Sequence, residues 1–349
     1  MRVAILESIV MPAGHEVEFD RILINELKQQ GHEPVLFVPE NFPFKVDYGV
    51  DIVHLEGGEV VTYAGASKWK KPFLSILRER RRRSWFTSAA QKIKEHKIDA
   101  LIIQTGTYRY IKALLDTPLK DSQAAVHVIF HGIGKGEMDR FIKQAHRANA
   151  YKNVYLDVIS LRDDMLRPDL PRVRKILPPV FLPSSELSGK QGNGTTQGAA
   201  NQQELEHLNS TDGIGANKER TISVDKPIKL GFFGQFRKEK NIERFIDAFV
   251  SLNYDDSVQL VVQGATVKPE DGELFESIIK QYSKYSNIQF IHASLIGKDW
   301  DRALLSVDAL LLPYGAERYR YHWAAMLFTA IGFHKPILIS PEINPEVLE

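Results

Sequence analysis

Cysteine is absent from all 349 residues, which removes disulfides, thiolate catalysis, cysteine zinc sites and iron–sulfur clusters together. No apolar run approaches the roughly 18 residues of a membrane-spanning helix, and Val3-Ala4-Ile5-Leu6 after Met1-Arg2 is too short for a signal peptide. Net charge is also lacking: 45 Lys and Arg face 44 Asp and Glu, so the chain as a whole carries no nucleic-acid signature. Neither a Gly-x-Ser-x-Gly elbow nor a Gly-x-x-x-x-Gly-Lys-Ser/Thr loop occurs, which leaves hydrolase and P-loop readings without support. The first strand is not followed by Gly-x-Gly-x-x-Gly, which argues against a nicotinamide enzyme. These absences predict a soluble, cytoplasmic protein, peripheral at most to the inner face of a membrane, that uses neither metal nor other cofactor.

What is present is globular: 43% hydrophobic and 26% charged residues leave no room for wholesale disorder. On a prior of about 100 to 200 residues per domain, the length suggests two domains. Apolar β-branched runs alternate with amphipathic stretches. Strands are expected at Arg2 to Leu6, Pro34 to Val38, Asp51 to Leu55, Ala100 to Gln104, Ala125 to Phe130, Leu156 to Ile159 and Lys175 to Leu177. Between the first two, Phe19, Ile22, Leu23 and Leu27 mark a helix that Gly31 ends. Ser184 to about Lys226 is rich in Ser, Gly, Asn, Gln and Thr and reads as a flexible linker or insertion in which the sequons at Asn193 and Asn209 are chance matches. Strands resume at Lys229 to Phe233, Val258 to Gln263, Ile288 to His292, Ala309 to Leu312 and Pro336 to Ser340. Helices fall between them over Asn241 to Leu252, Leu274 to Tyr285, Trp300 to Val307 and Trp323 to Ile331. The alternation predicts two doubly wound, parallel-sheet α/β domains, 1–183 and 227–349, with ligands at the carboxyl ends of their strands.

The near-zero charge hides one segregated segment. Ala66 to Phe86 holds three Lys and five Arg against the single Glu79, about +7, and the remainder sums to about −6. Lys68, Lys70, Lys71, Arg80, Arg81, Arg82 and Arg83 interleave there with Trp69 and Trp85, a pattern suited to an anionic membrane surface or a lipid-diphosphate acceptor. A solvated helix with a buried apolar face is the plainer alternative. Asp299-Trp300-Asp301 has a metal-binding form but sits at an expected helix start, where Asp commonly caps.

Lys229 to Phe249 is the most informative stretch. A buried strand ends at Phe233, Gly234 permits close backbone approach, and Arg237, Lys238 and Lys240 precede a helix, a combination suited to a diphosphate. Here the chain resembles the glycosyltransferases of the two-Rossmann (GT-B) architecture, in particular the large retaining family 4. Gly234, Phe236, Glu239 and Lys240 match the opening of that family's second domain, while Gln235 stands where a phosphate-binding Arg is usual and Arg237 could replace its charge. The resemblance implies two Rossmann-like domains facing a central cleft, a nucleotide-diphospho-sugar as donor substrate and a sugar or lipid-linked acceptor, with synthesis of a cell-surface polysaccharide or glycolipid as the setting. It places the nucleotide base near Ala293, Leu295 and Ile296, a Glu at Glu317 and a ribose-binding Glu at the position that Thr329 occupies. Tyr319, Tyr321 and His322 fill a longer gap and would contact sugar or phosphate, or pack at the cleft. In the first domain it places Gly14 and His15 at the donor phosphate and His131, at a strand end before Gly132, beside the transferred sugar, with Lys135 as a weaker phosphate candidate. The family usually continues through more of the second sheet and a closing helix, so a shortened chain and a domain without those elements both stay open. The departures at Gln235 and Thr329 leave a non-catalytic glycosyltransferase-like binding or scaffold subunit as the rival reading.

Overall fold

The structure, a computed structural model, describes residues 1–8, 16–44, 46–63, 66–183 and 226–347. Gly14, His15, the two sequons and all of the expected linker before Lys226 lie outside the described residues.

Seven parallel strands form the first sheet: β1 (Arg2–Leu6), β2 (Glu33–Pro39), β3 (Asp51–Leu55), β4 (Ala100–Ile103), β5 (Ala125–Phe130), β6 (Val154–Ile159) and β7 (Val173–Ile176), in the spatial order β3-β2-β1-β4-β5-β6-β7. Their near-continuous apolar runs fit strands covered on both faces; Val3 to Leu6 of β1 and Val35 to Val38 of β2 are buried throughout. Helices α1 (Glu16–Gln29), α2 (Lys71–Glu95), α3 (Tyr108–Leu115) and α4 (Met138–Ala148) connect them. The order reverses once, between β1 and β4.

The second sheet has five parallel strands, β8 (Ile228–Phe232), β9 (Val258–Gln263), β10 (Ile288–Ile291), β11 (Ala309–Leu312) and β12 (Ile337–Ile339), ordered β10-β9-β8-β11-β12. Its helices are α5 (Ile242–Ser251), α6 (Pro269–Tyr282), α7 (Lys298–Leu305) and α8 (Ala325–Gly332). Here the reversal lies between β8 and β11. Every strand anticipated from the sequence is present in order, with ends shifted by a few residues. The expected helix over Trp323 to Ile331 starts later, at α8, and Trp323 before it packs between the domains instead.

The two α/β domains meet through apolar packing and close backbone approach. Phe19, Ile129, Ile159 and Phe181 from the first domain join the core cluster of the second. Trp323 stacks on Phe181 at 6.0 Å and on His131 at 5.8 Å between ring centroids. Gly132, just after β5, has φ 110°, and a Cβ there would lie 2.5 Å from the Tyr321 carbonyl oxygen and 2.7 Å from His322 Nδ1. Gly132→Ala therefore combines a strained backbone with a backbone clash across the interface. It is expected to cost about 1 to 3 kcal/mol, read as a lower Tm in thermal unfolding, whereas Gly136→Ala, with open space at its Cβ, leaves Tm unchanged.

Candidate active site

The residues that follow β8 and β11 converge at the reversal of the second sheet, where the outgoing loops part and leave a crevice. Gly234, Gln235, Arg237 and Lys240 come from the first loop and Tyr314, Arg318 and Tyr319 from the second. Leu295, Ile296 and Trp300 add an apolar wall, and Glu18 and Phe181 close the cleft from the other domain. The cavity so lined measures about 180 Å³.

Its chemistry is cationic. Gln235 Oε1 accepts from Arg237 Nε at 3.2 Å and Nη2 at 2.7 Å, so the amide standing in place of the expected arginine aims the arginine two residues on. Lys240 is buried, and its ammonium lies 4.8 Å from the Tyr314 ring centroid and 5.6 Å from that of Phe232, with no ion pair or side-chain hydrogen bond among the described residues. Burial, then repulsion from Arg237, lowers its pKa to about 7, against a weaker opposing pull from Glu239. Glu239 touches Arg237 and Arg318 only loosely, at 3.9 and 3.7 Å. The Tyr314 hydroxyl is buried without a hydrogen-bond partner among the described residues, a donor left open to the cavity chemistry. Burial raises its pKa well above the ordinary phenol value, so it stays protonated.

Gln263 ties the site together. Buried at the end of β9, its Oε1 accepts from the Gly234 amide at 2.8 Å and its Nε2 donates to the Ala293 carbonyl, which fixes the Gly234 loop relative to the segment at Leu295. Gly234 itself has φ 110°, and a Cβ there would stand 3.5 Å from Lys240 Nζ, in the space the ammonium faces.

Of the residues singled out from sequence, Gly234, Arg237, Lys240, Leu295 and Thr329 line this one cavity, and Ala293 borders it through its carbonyl. The Thr329 hydroxyl donates to the Ala325 carbonyl at 3.0 Å, so what remains at its oxygen is acceptor capacity. Glu317 and His131 do not line it. Glu317 is exposed at the start of a 3-10 turn. The His131 ring lies between Phe19 and Trp323, and its Nε2 donates to the Gln104 carbonyl at 3.0 Å. Tyr319 lines the cavity, while Tyr321 and His322 meet the first domain at Gly132, His322 Nδ1 donating to the His131 carbonyl at 3.1 Å. Lys135 opens a short 3-10 turn outside the cavity. Asp299 pairs with Arg302 at 3.1 Å. Arg318, Gln263, Tyr314 and Trp300 were not singled out as site residues, Trp300 having been noted only within Asp299-Trp300-Asp301; the strand order brings the four to one cavity.

The basic segment needs a larger correction. Arg82 and Trp85 are 6% and 5% exposed, so neither can face a membrane. Arg82 pairs with Glu79 at 2.6 Å, Trp85 Nε1 donates to the Gly58 carbonyl at 2.8 Å, and Arg81 Nη1 donates to the Gly57 carbonyl. Arg83 pairs with Asp116 at 2.8 Å. Lys68, Trp69, Lys70, Lys71 and Arg80 are exposed, together with Phe73, Ile76 and Leu77.

Residues 214–344 match the family described as Glycosyl transferases group 1. Among solved structures, the sucrose-phosphate synthase of Thermosynechococcus elongatus aligns with a TM-score of 0.59 at 13% identity, over 98% of this chain and 82% of that one. Anabaena HepE in complex with UDP and glucose aligns at 0.60 and 11%, over 100% and 83%. The catalytic domain of starch synthase IV from Arabidopsis thaliana, bound to ADP and acarbose, aligns at 0.61 and 11%, over 98% and 83%. No curated protein matches the chain by sequence. The fold is the two-domain GT-B architecture, two parallel α/β domains facing a cleft. The likeness to glycosyl transferases group 1 is carried by residues 214–344, which include all five strands of the second sheet.

The buried ammonium makes a prediction about the free protein. Its folded pKa is about 7 against an unfolded value near 10.5, so the unfolded chain binds the extra proton between those values and stability rises with pH across that window. Lys240→Met is expected to raise the Tm of the free protein most below pH 7, with the gain shrinking towards pH 10.5. Thermal unfolding of both proteins at pH 6 and pH 9.5 checks it.

Proposed function

We propose that the enzyme transfers a hexosyl group from a UDP- or GDP-sugar to a hydroxyl acceptor in the synthesis of a cell-surface polysaccharide or glycolipid, with retention at the anomeric carbon. The observation that carries this reading is the cation cluster of Arg237, Lys240 and Arg318 in a cleft where Lys240 has no carboxylate partner. Three positive groups and the Tyr314 hydroxyl suit a diphosphate, whose charge would restore to Lys240 the proton that burial weakens. The apolar wall of Leu295, Ile296 and Trp300 suits a base, and the Thr329 oxygen suits one ribose hydroxyl. At about 180 Å³ the cavity is below the roughly 300 Å³ of small ligand sites, so the donor would extend from it between the domains.

The cations act on the leaving group. As the bond from the anomeric carbon to the diphosphate oxygen breaks, its electron pair stays on the diphosphate, and Arg237, Lys240 and Arg318 offset the added charge. The acceptor oxygen forms the new bond to the same carbon, and its proton passes to a phosphate oxygen, so no separate base is needed. Retention rests on the likeness of the second domain to family 4. His131 and Gln263 serve as positioning residues in this scheme, the first behind Trp323 and the second between the loops at Gly234 and Ala293. The boundaries 1–183 and 227–349 divide acceptor from donor domain.

Peripheral membrane attachment is part of the same reading. No helix among the described residues is long and apolar enough to cross a membrane. Trp69 and Phe73, 89% and 76% exposed, stand at the start of α2 beside Lys68, Lys70, Lys71 and Arg80, with no acid in the first helical turn. Apolar side chains at helical spacing among cations match the chemistry of an anionic lipid surface.

Calorimetric titration with UDP and GDP tests the donor site; no binding to either at millimolar concentration sinks it. Lys240→Ala is expected to weaken the favoured nucleotide by about 1.5 to 3 kcal/mol, the range for a charged hydrogen bond. At pH 8 the wild-type protein should take up close to one proton on binding, seen as a heat that varies with buffer ionisation enthalpy, and Lys240→Ala should not. For the membrane face, Trp69→Ser/Phe73→Ser is expected to abolish co-sedimentation with vesicles rich in phosphatidylglycerol, whereas equal pelleting of the wild type with neutral vesicles argues against an electrostatic share.

A further inference from the structure

The first sheet reverses between β1 and β4, and the loops leaving its strands gather a second set of cations there. Ser8, after β1, is bonded to the Tyr110 hydroxyl at 2.8 Å, so the two diverging loops are joined across the switch point. Beside Tyr110, Tyr108 and Arg109 open α3; Tyr63, from the segment after β3, faces both Arg109 and Arg78 of α2, and Arg140 lies in the first turn of α4. Arg109 Nε and Arg140 Nη1 donate to the one Tyr108 hydroxyl at 3.1 and 3.3 Å, and the Arg78 guanidinium lies 4.6 Å from the Tyr63 ring centroid. The hydrogen bond from Arg109 holds the Tyr108 phenol below its ordinary pKa.

Among the described residues, Arg78, Arg109 and Arg140 have no carboxylate within ion-pair distance, although the neighbouring Arg82, Arg83 and Arg147 are each matched to Glu79 or Asp116. No acid stands in the first turn of α3, whose cap residue Thr107 makes no side-chain capping bond. At the carboxyl end of β4, the wholly buried Gln104 amide and the Thr105 hydroxyl also lack hydrogen-bond partners among the described residues. Three guanidiniums from three elements, with their charge left uncompensated, exceed what one carboxylate can use; a phosphoryl group, with up to two charges and three acceptor oxygens, fits them.

We propose that this cluster binds the phosphoryl group of the acceptor, so that the hydroxyl to be glycosylated belongs to a phosphorylated sugar. The proposal rests on the donor reading of the other cleft. Arg140 follows the loop from β5 that meets the second domain at Gly132, which puts the cluster on the side of the first domain that a donor bound there would face.

Glucose 6-phosphate is the probe. Calorimetry is expected to show binding to the wild type and, undiminished, to Lys240→Met, with neutral glucose at the same concentration giving none. Arg109→Gln/Arg140→Gln should weaken it at least about tenfold, as for the loss of charged hydrogen bonds, while its Tm and its UDP affinity stay at the wild-type level. Both replaced residues are exposed, and Lys152→Gln serves as the remote control. Equal binding of glucose, an unchanged double variant, loss of binding in Lys240→Met, or no binding at millimolar concentration each overturns the proposal. If UDP fails to bind while glucose 6-phosphate binding depends on the two arginines, the donor reading falls and this site stands. Vesicles containing phosphatidic acid separate the sources: pelleting that drops in the double variant assigns the phosphoryl group to a lipid, and pelleting that does not assigns it to a soluble sugar phosphate.

Discussion

Each sheet is wholly parallel and its strand order reverses once, and the chemistry of the molecule is confined by that constraint. A parallel strand must return through a crossover, so every strand delivers its carboxyl end to the same edge. Where the order reverses, adjacent strands send their crossovers in opposite directions and nothing covers the gap. Between β8 and β11 that gap collects Arg237, Lys240, Tyr314 and Arg318; between β1 and β4 it collects Ser8, Tyr108, Arg109 and Tyr110. The sites sit where topology leaves backbone uncovered, and the side chains decide what each gap can hold.

In the second gap they build a site that is unfavourable when empty. Lys240 is withdrawn from water beside two arginines, with only aromatic rings and the distant Glu239 in compensation. On the proposed donor reading, free energy lost in the unliganded protein would be recovered when an anion arrives, and the attraction would act where charge develops on a leaving diphosphate. The arrangement requires that the loops not relax away from one another. Gln263 prevents this by holding the Gly234 amide and the Ala293 carbonyl with a single amide group, and Gly315 donates to the Glu239 carbonyl at 3.1 Å to join the loops across the reversal.

How much of this could be read in the sequence follows from what kind of information each feature carries. Strands buried on both faces announce themselves as apolar runs, so the order of β1 to β12 was legible. Gly234 and Lys240 were legible because backbone approach and a cation just before a helix belong to a local pattern. Arg237 could be suspected as the substitute for the missing arginine, but the part played by Gln235 depends on a rotamer that points its oxygen at that guanidinium. Arg318 and Tyr314 enter through a loop 70 or more residues away, which only the β8 and β11 pairing brings near. His131 was read from its place at a strand end; it does not line the cavity, and its ring stacks on Trp323, a residue of the other domain that no local pattern places there.

The basic segment illustrates the same limit in one helix. Composition gives α2 an excess of cations but not the angle at which each leaves the axis. Its first turns leave Phe73, Ile76 and Leu77 in water, while its second half buries Trp85, Phe86, Ala89 and Ile93 in the first-domain core. Between these regimes the run from Arg80 to Arg83 divides by direction: Arg80 stays solvated, Arg81 serves the glycine turn after β3, and Arg82 and Arg83 are tied to Glu79 and Asp116. Acidic residues are thus spent on arginines that hold structure, and Arg78, one turn earlier, is left without one. The same distinction separates Arg147, paired with Asp116, from Arg140 on the same helix. A net charge of +1 conceals this division, because a sum over the chain records neither which cations are paired nor where the rest stand.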